Sequence, residues 1–215
     1  MSVTVYEGSD FAGKTTEALN MLLSCYVGQE QRNGIYIHFP IRKSTDVVRV
    51  SVAPPSINKF KHCDPFTNAD GNLLDLNIIQ EIILINIASN VDTILSYYDS
   101  GYDVFIDRFI LSNFVYRALH NVPITSTCYN LCCTPSMERL MGIANHVIMV
   151  PPDEVLATRH NANRGKDESE FDKLNEQIEN IYRTNAIYRE YEASRELRIA
   201  YGGYELIMPL KKLNE

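Results

Sequence analysis

The sequence predicts an α/β fold of three layers, a parallel sheet of about five strands covered by helices on both faces and built as one domain over residues 1–215. Two observations carry this expectation. Short apolar runs rich in β-branched and aromatic residues alternate with longer segments of helical periodicity, the pattern of parallel strands joined by crossover helices. The first of those runs leads through the glycine-rich stretch Gly8, Ser9, Asp10, Phe11, Ala12, Gly13, Lys14, Thr15 into a helical segment, so strand, loop and helix follow one another as a phosphate-binding loop requires.

Taken in chain order, strands are predicted at residues 3–6, 34–39, 102–106 and 146–150, with a fifth near 205–208. Helices are predicted at 15–26 and at 73–96, the second long, apolar and closed by Gly101. Further helices are expected at 113–119 and 136–143. The last third differs in kind: 154–159 and 168–196 are charge-rich helical stretches, and the polar segment 161–167 between them reads as a surface loop. Residues 52–72, with Pro54, Pro55, Pro65 and Gly71, read as an irregular excursion that caps a site or crosses an edge.

Composition narrows the function classes. An apolar fraction of 45% supplies one buried core, and a net charge of -7 argues against a protein that wraps nucleic acid, while leaving room for a local basic pocket that takes a small phosphate ligand. No apolar run approaches the roughly 20 residues of a membrane span, and no charged leader opens the chain. A soluble, cytoplasmic protein without a membrane partner is therefore expected. The five cysteines, Cys25, Cys63, Cys128, Cys132 and Cys133, form an odd set without zinc spacing and read as reduced thiols.

The residues at 8–15 match the GxxxxGK[ST] pattern. Its glycines let successive backbone N–H groups face a phosphate, and the helix that follows adds its positive end. Lys14 would reach the β- and γ-phosphates of a nucleotide, and the Thr15 hydroxyl would ligate Mg²⁺. The strand at 102–106 runs into Asp107 and Arg108 at the carboxyl edge of the sheet, where open α/β folds bind ligands. Asp107 would hold Mg²⁺ through water or orient an acceptor; Arg108 would clamp an acceptor phosphate.

Across nearly its whole length the chain resembles the thymidylate kinase family of nucleoside monophosphate kinases. Glu7, Gly8, Asp10, Gly13, Lys14 and Thr15 are similar to that family's phosphate-binding loop, in which the aspartate lies near the acceptor. Phe39, Pro40 and Arg42 resemble its FPxR element, whose arginine grips the acceptor's 5′-phosphate. The stretch from Asp107 to Tyr116 resembles its DRY element and the helix after it. By that match Asn113 bonds the pyrimidine edge, and Tyr116 fills the place of a ribose 2′-hydroxyl, implying a deoxyribose acceptor.

Residues 159–168 resemble the family's LID flap. Ser9, Asp10, Phe11 and Ala12 include no arginine, so the resemblance implies a LID-supplied one, Arg164 and secondarily Arg159, acting on the transferred phosphoryl group. It further implies ATP and Mg²⁺ cradled on residues 8–16, Ser9, Phe11, Ala12 and Thr16 among them. A homodimer and the strand order 2-3-1-4-5 are implied as well.

Two departures bear on the substrate. The family's helix arginine against the thymine ring has no counterpart, because no arginine lies between Arg49 and Arg108, and counting back from Gly101 puts Asn86 or a neighbour near its place. The DRY tyrosine is Phe109. The expected function is ATP-dependent phosphorylation of a deoxynucleoside monophosphate, dTMP or a related, even modified, pyrimidine. A deoxynucleoside kinase and a kinase acting on a modified base in DNA stay open, as does a nucleotide-binding regulator without turnover. The first of these needs a general base at the end of the second strand.

Overall fold

A computed structural model describes residues 1–27, 31–50, 59–163 and 170–213. Strand β1 (Val3–Gly8) is buried along its whole length, as a central strand of a covered parallel sheet must be. It pairs in parallel with β4 (Asp103–Asp107) on one side and β5 (Ala144–Met149) on the other, and β4 in turn pairs in parallel with β2 (Gly34–His38). Alternation along these strands sends side chains to two faces. Val5, Ile37 and Ile106 belong to the large core, together with Leu84, Ile87 and Ile94 from α2 (Leu76–Asp99). Tyr6, Tyr36 and Phe105 point the other way and meet Ala18, Leu22 and Cys25 of α1 (Lys14–Val27). Helices thus flank a five-stranded sheet.

Two expectations are corrected. The sheet is mixed rather than wholly parallel, because β3 (Val47–Val50) lies antiparallel on the outer side of β2. Residues 39–46 are too few for the crossover of a dozen or more residues that a parallel neighbour needs. The turn is tied by Asp46, whose Oδ2 accepts from the backbone N–H groups of Arg42 (2.8 Å) and Lys43 (2.9 Å). The segment near 205–208 is not the fifth strand of that sheet either. It lies in β7 (Tyr204–Pro209), which pairs with β6 (Glu196–Tyr201) in a separate hairpin. Gly202 and Gly203, both at positive φ, form the two-residue turn that a tight hairpin demands. The sheet order is therefore β3-β2-β4-β1-β5: the first four expected strands stand in the expected 2-3-1-4 order, as β2-β4-β1-β5, while the expected fifth is absent from this sheet and β3 is added beside β2.

Helix α3 (Ile110–Leu119) starts earlier than expected, directly after Arg108 turns the chain at φ 65°. Helix α4 (Ser126–Cys132), capped by Thr125, was not foreseen; it buries Cys128 and Cys132 and leaves Cys133 exposed. All five cysteines are free thiols. α5 (Pro135–Ile143), α6 (Asp153–Asn163), α7 (Glu170–Asn175) and α8 (Ile178–Ser194) complete the set. α8 ends where Arg195 enters the left-handed region.

At 24 residues, α2 is long and apolar enough to span a bilayer on length and composition, contrary to the expectation that no run comes close. Of its most apolar 18-residue stretch 56% is buried inside the protein, and Gln80, Asn86, Asn90 and Thr93 are among the helix's buried residues.

Candidate active site

The loop between β1 and α1 has the shape its glycines permit. Gly8 sits at φ 151°, and a Cβ there would come within 2.6 Å of the Met149 carbonyl, so no other residue fits. Lys14 folds under the loop and donates to the Ser9 carbonyl at 2.6 Å. Burial pushes its ammonium pKa down, while the charges of Asp107 and Glu7 act in the opposite direction. Gly8 and Ser9 form the buried floor. Asp10, Phe11, Ala12, Gly13, Lys14, Thr15, Thr16, His38, Arg108 and Arg159 line a cavity of about 500 Å³ above it. Arg159 of α6 reaches back to donate to the carbonyls of Phe11 (2.9 Å) and Ala12 (2.8 Å), and His160 packs edge-on against the Phe11 ring.

Asp107, at the end of β4, is the hub of the site. Its Oδ2 accepts from the Thr15 hydroxyl, from the Tyr36 hydroxyl (3.0 Å) and from His38 Nδ1 (3.1 Å). Its Oδ1 is buried without a hydrogen-bond partner among the described residues. Burial alone would raise the Asp107 pKa; the hydrogen bond and charge of His38, with Lys14 and Thr15, outweigh it and hold the carboxyl below its ordinary value. The described residues contain no group of three or more His, Cys, Asp or Glu arranged for a metal. A Mg²⁺ bound mainly by nucleotide phosphates and water needs only one or two protein ligands. The Thr15 hydroxyl beside the orphaned Asp107 oxygen fits that smaller requirement.

A second cavity, of about 370 Å³, adjoins the first. Asp10, His38 and Arg108 line both. Asp10 and Arg108 belong to a closed arrangement in which the Arg108 guanidinium pairs with Asp10 and donates to the Tyr116 hydroxyl at 2.9 Å. The Tyr116 hydroxyl in turn donates to Asp10 Oδ2 at 2.8 Å. Phe39, Phe66, Ile83, Phe109 and Phe171 supply apolar walls, and the Arg42 guanidinium lies over the Phe66 ring with 5.5 Å to its centroid. Glu7 supports this arrangement from below. Fully buried, it accepts from the Phe109 N–H (3.0 Å) and from the Ser112 hydroxyl, which also bonds the Tyr188 hydroxyl at 2.7 Å. Burial pushes the Glu7 carboxyl up from 4.5 to about 7, against the opposing hydrogen bond from Ser112 and the charges of Lys14 and Arg108.

The sequence-predicted residues therefore gather around two adjoining cavities, with two exceptions. Arg164 lies outside the described residues. Asn86 does not line the second cavity: its Oδ1 accepts from the Ile41 N–H (2.9 Å) and its Nδ2 donates to the Lys61 carbonyl (2.9 Å), tying α2 to the chain at Ile41 and at Lys61. Asn86→Ala is expected to destabilise the protein by about 1–3 kcal/mol in a denaturant titration without altering the order of acceptor preference. A change in acceptor preference would put Asn86 back in the binding surface.

Gln80, six residues and about one and two-thirds turns before Asn86, lines the cavity instead. Asn113 lines it too, but its polar groups are already engaged: Nδ2 donates to the Gln80 carbonyl and to Gln80 Oε1, each at 2.9 Å, and Oδ1 accepts from Arg117 Nε at 2.9 Å. His38, Gln80, Ser112 and Arg117 are the site residues that sequence reasoning did not single out, and Glu7 entered it only as part of the loop motif, with no role of its own. For His38 a signal existed, its place at the carboxyl end of a strand directly before Phe39 and Pro40. No protein-family model and no curated protein sequence matches the chain.

Proposed function

We propose that this protein moves the terminal phosphate of ATP onto the 5′-phosphate of a pyrimidine deoxynucleoside monophosphate, dTMP or a close relative, on a P-loop kinase fold. The observation that carries this reading is the pair of adjoining cavities that share Asp10, His38 and Arg108. One is built on the glycine loop with Lys14 and Thr15; the other is walled by aromatic rings and bears Arg42. A donor and an acceptor bound in them meet at the shared residues.

In this mechanism an oxygen of the acceptor phosphate attacks the γ-phosphorus as the bond to the ADP oxygen breaks, and no covalent protein intermediate forms. Lys14 balances charge on the β- and γ-phosphates. Arg108, held in place by Asp10 and Tyr116, faces the acceptor phosphate, and Arg42 holds it from the cavity wall. Mg²⁺, held at Thr15 and Asp107, would neutralise phosphate charge. Tyr116, held by hydrogen bonds with Arg108 and Asp10, would fill the place of a ribose 2′-hydroxyl. Arg164 and Arg159 complete the cationic surround in this reading.

Arg42→Ala tests the acceptor assignment. A roughly 10- to 100-fold rise in KM for the monophosphate is expected in a coupled ADP-release assay, with nucleoside binding unchanged. An unchanged KM would contradict it. A second reading, a deoxynucleoside kinase, is favoured by one observation: His38, paired with Asp107, stands at the end of β2 where a hydroxyl acceptor needs a base. Under that reading Arg42→Ala leaves turnover of the preferred acceptor intact.

A further inference from the structure

We infer that the acceptor cavity selects a base carrying an oxo group at position 4, and that it does so through Gln80, whose amide is oriented by a relay from Arg117. The inference rests on the nucleotide-acceptor reading above and specifies its substrate. The relay starts from a residue that can only donate. Arg117 is buried and fixed by Glu81 Oε1 (2.9 Å) and the Pro123 carbonyl (2.8 Å), and its Nε donates to Asn113 (2.9 Å). The Asn113 atom facing it must be the oxygen, so the Asn113 NH₂ is turned toward Gln80. The Gln80 atom that meets this NH₂ must then be Oε1, which leaves Nε2 as the remaining group.

Gln80 is 1% exposed, lines the cavity, and its Nε2 has no hydrogen-bond partner among the described residues. A buried donor left unpaired is costly, and a ligand that brings an acceptor removes the penalty. Asp10, His38 and Arg108 mark the phosphate end of the cavity because they also line the donor site; Gln80 and Asn113 line only the acceptor cavity. The base edge that meets Gln80 is therefore the one far from the sugar, which carries position 4. Uracil and thymine present a carbonyl oxygen there. Cytosine presents an amino group, setting donor against donor and leaving both unpaired.

Binding of dUMP, dTMP, dCMP and the 2-pyrimidinone deoxynucleoside monophosphate, which lacks any group at position 4, is measured by calorimetry on the whole chain without ATP. The expected result is dUMP and dTMP binding roughly 10- to 100-fold more tightly than dCMP, with the 2-pyrimidinone weaker than dUMP by about tenfold or more. Gln80→Glu, which turns an acceptor toward the base, should bring the dUMP to dCMP ratio to one or below. Equal binding of dUMP and dCMP, or of dUMP and the 2-pyrimidinone, by the unaltered protein overturns the inference while leaving a monophosphate site. So does a Gln80→Glu protein that keeps the original ratio. Binding of none of the four overturns the acceptor reading and this inference with it. The 2-pyrimidinone comparison needs no variant, so a Gln80→Glu chain that fails to fold still leaves a decisive result.

Discussion

Lys14→Met is expected to slow phosphoryl transfer by roughly 10³-fold, the scale on which removal of one preorganised charge-stabilising group acts in a water-poor site. The methionine keeps the length and apolar stem of the lysine while removing the one ammonium beneath the glycine loop, where it donates to the Ser9 carbonyl. Two further consequences follow from its neighbours. Lys14 lowers the pKa of both Glu7 and Asp107, so its loss leaves two buried carboxylates less compensated. The variant should therefore titrate Glu7 at a higher pH than the parent protein does. Circular dichroism and steady-state ADP release separate a folded, inactive protein from an unfolded one. A folded Lys14→Met protein with near-normal turnover would remove the glycine loop from the mechanism.

Glu7→Gln is expected to stabilise the protein above pH 7 and to flatten its stability profile between pH 4.5 and 7. In the folded state burial raises the Glu7 pKa from 4.5 to about 7, so the folded protein holds the Glu7 proton more tightly than the unfolded chain does. The stability this proton contributes is fully present below pH 4.5 and is lost as pH rises through 7. A shift of that size corresponds to roughly 3 kcal/mol. Glutamine keeps an oxygen to accept from the Phe109 N–H, and the Ser112 hydroxyl, by donating its proton to the Tyr188 hydroxyl, can turn to accept from the new NH₂. Urea titrations at pH 5 and pH 8 should show the parent losing stability between them and the variant losing less. Parallel losses would mean that Glu7 is not the group responsible.

Much of the fold was legible because its central strands carry an unmistakable mark. β1, β2 and β4 are buried on both faces and read as short continuous apolar runs, and the glycine pattern names the loop between β1 and α1. β3 escaped because four residues at a sheet edge, two of them exposed, carry little periodicity. The hairpin was half legible. Its Gly202-Gly203 turn stood in the sequence, but residue 196 was read as the end of a charged helix rather than the first residue of β6.

Residues that are neighbours in a motif come together at the two cavities: Lys14 with Thr15, and Arg108 with Tyr116, with Asp107 bonded to the Thr15 hydroxyl. Gln80 and Arg117 belong to no motif, and Asn86, expected with its neighbours near the missing arginine, bonds the Ile41 and Lys61 backbone instead. The role of a buried amide depends on which of its two ends a distant partner claims, and that partner is set by packing between α2 and α3. Asn86 and Gln80 are both polar residues on an apolar helix, and nothing in their spacing says that one ties down the Lys61 segment while the other faces a cavity.

The most direct test of the central claim is a coupled ADP-release assay with ATP and Mg²⁺ against dTMP, dUMP, 5-hydroxymethyl-dUMP, dCMP, dGMP, dAMP, UMP, thymidine and duplex DNA. Turnover with dTMP and its 4-oxo analogues, and none with thymidine or DNA, is the predicted result. Turnover of thymidine or of DNA without turnover of any monophosphate would contradict it.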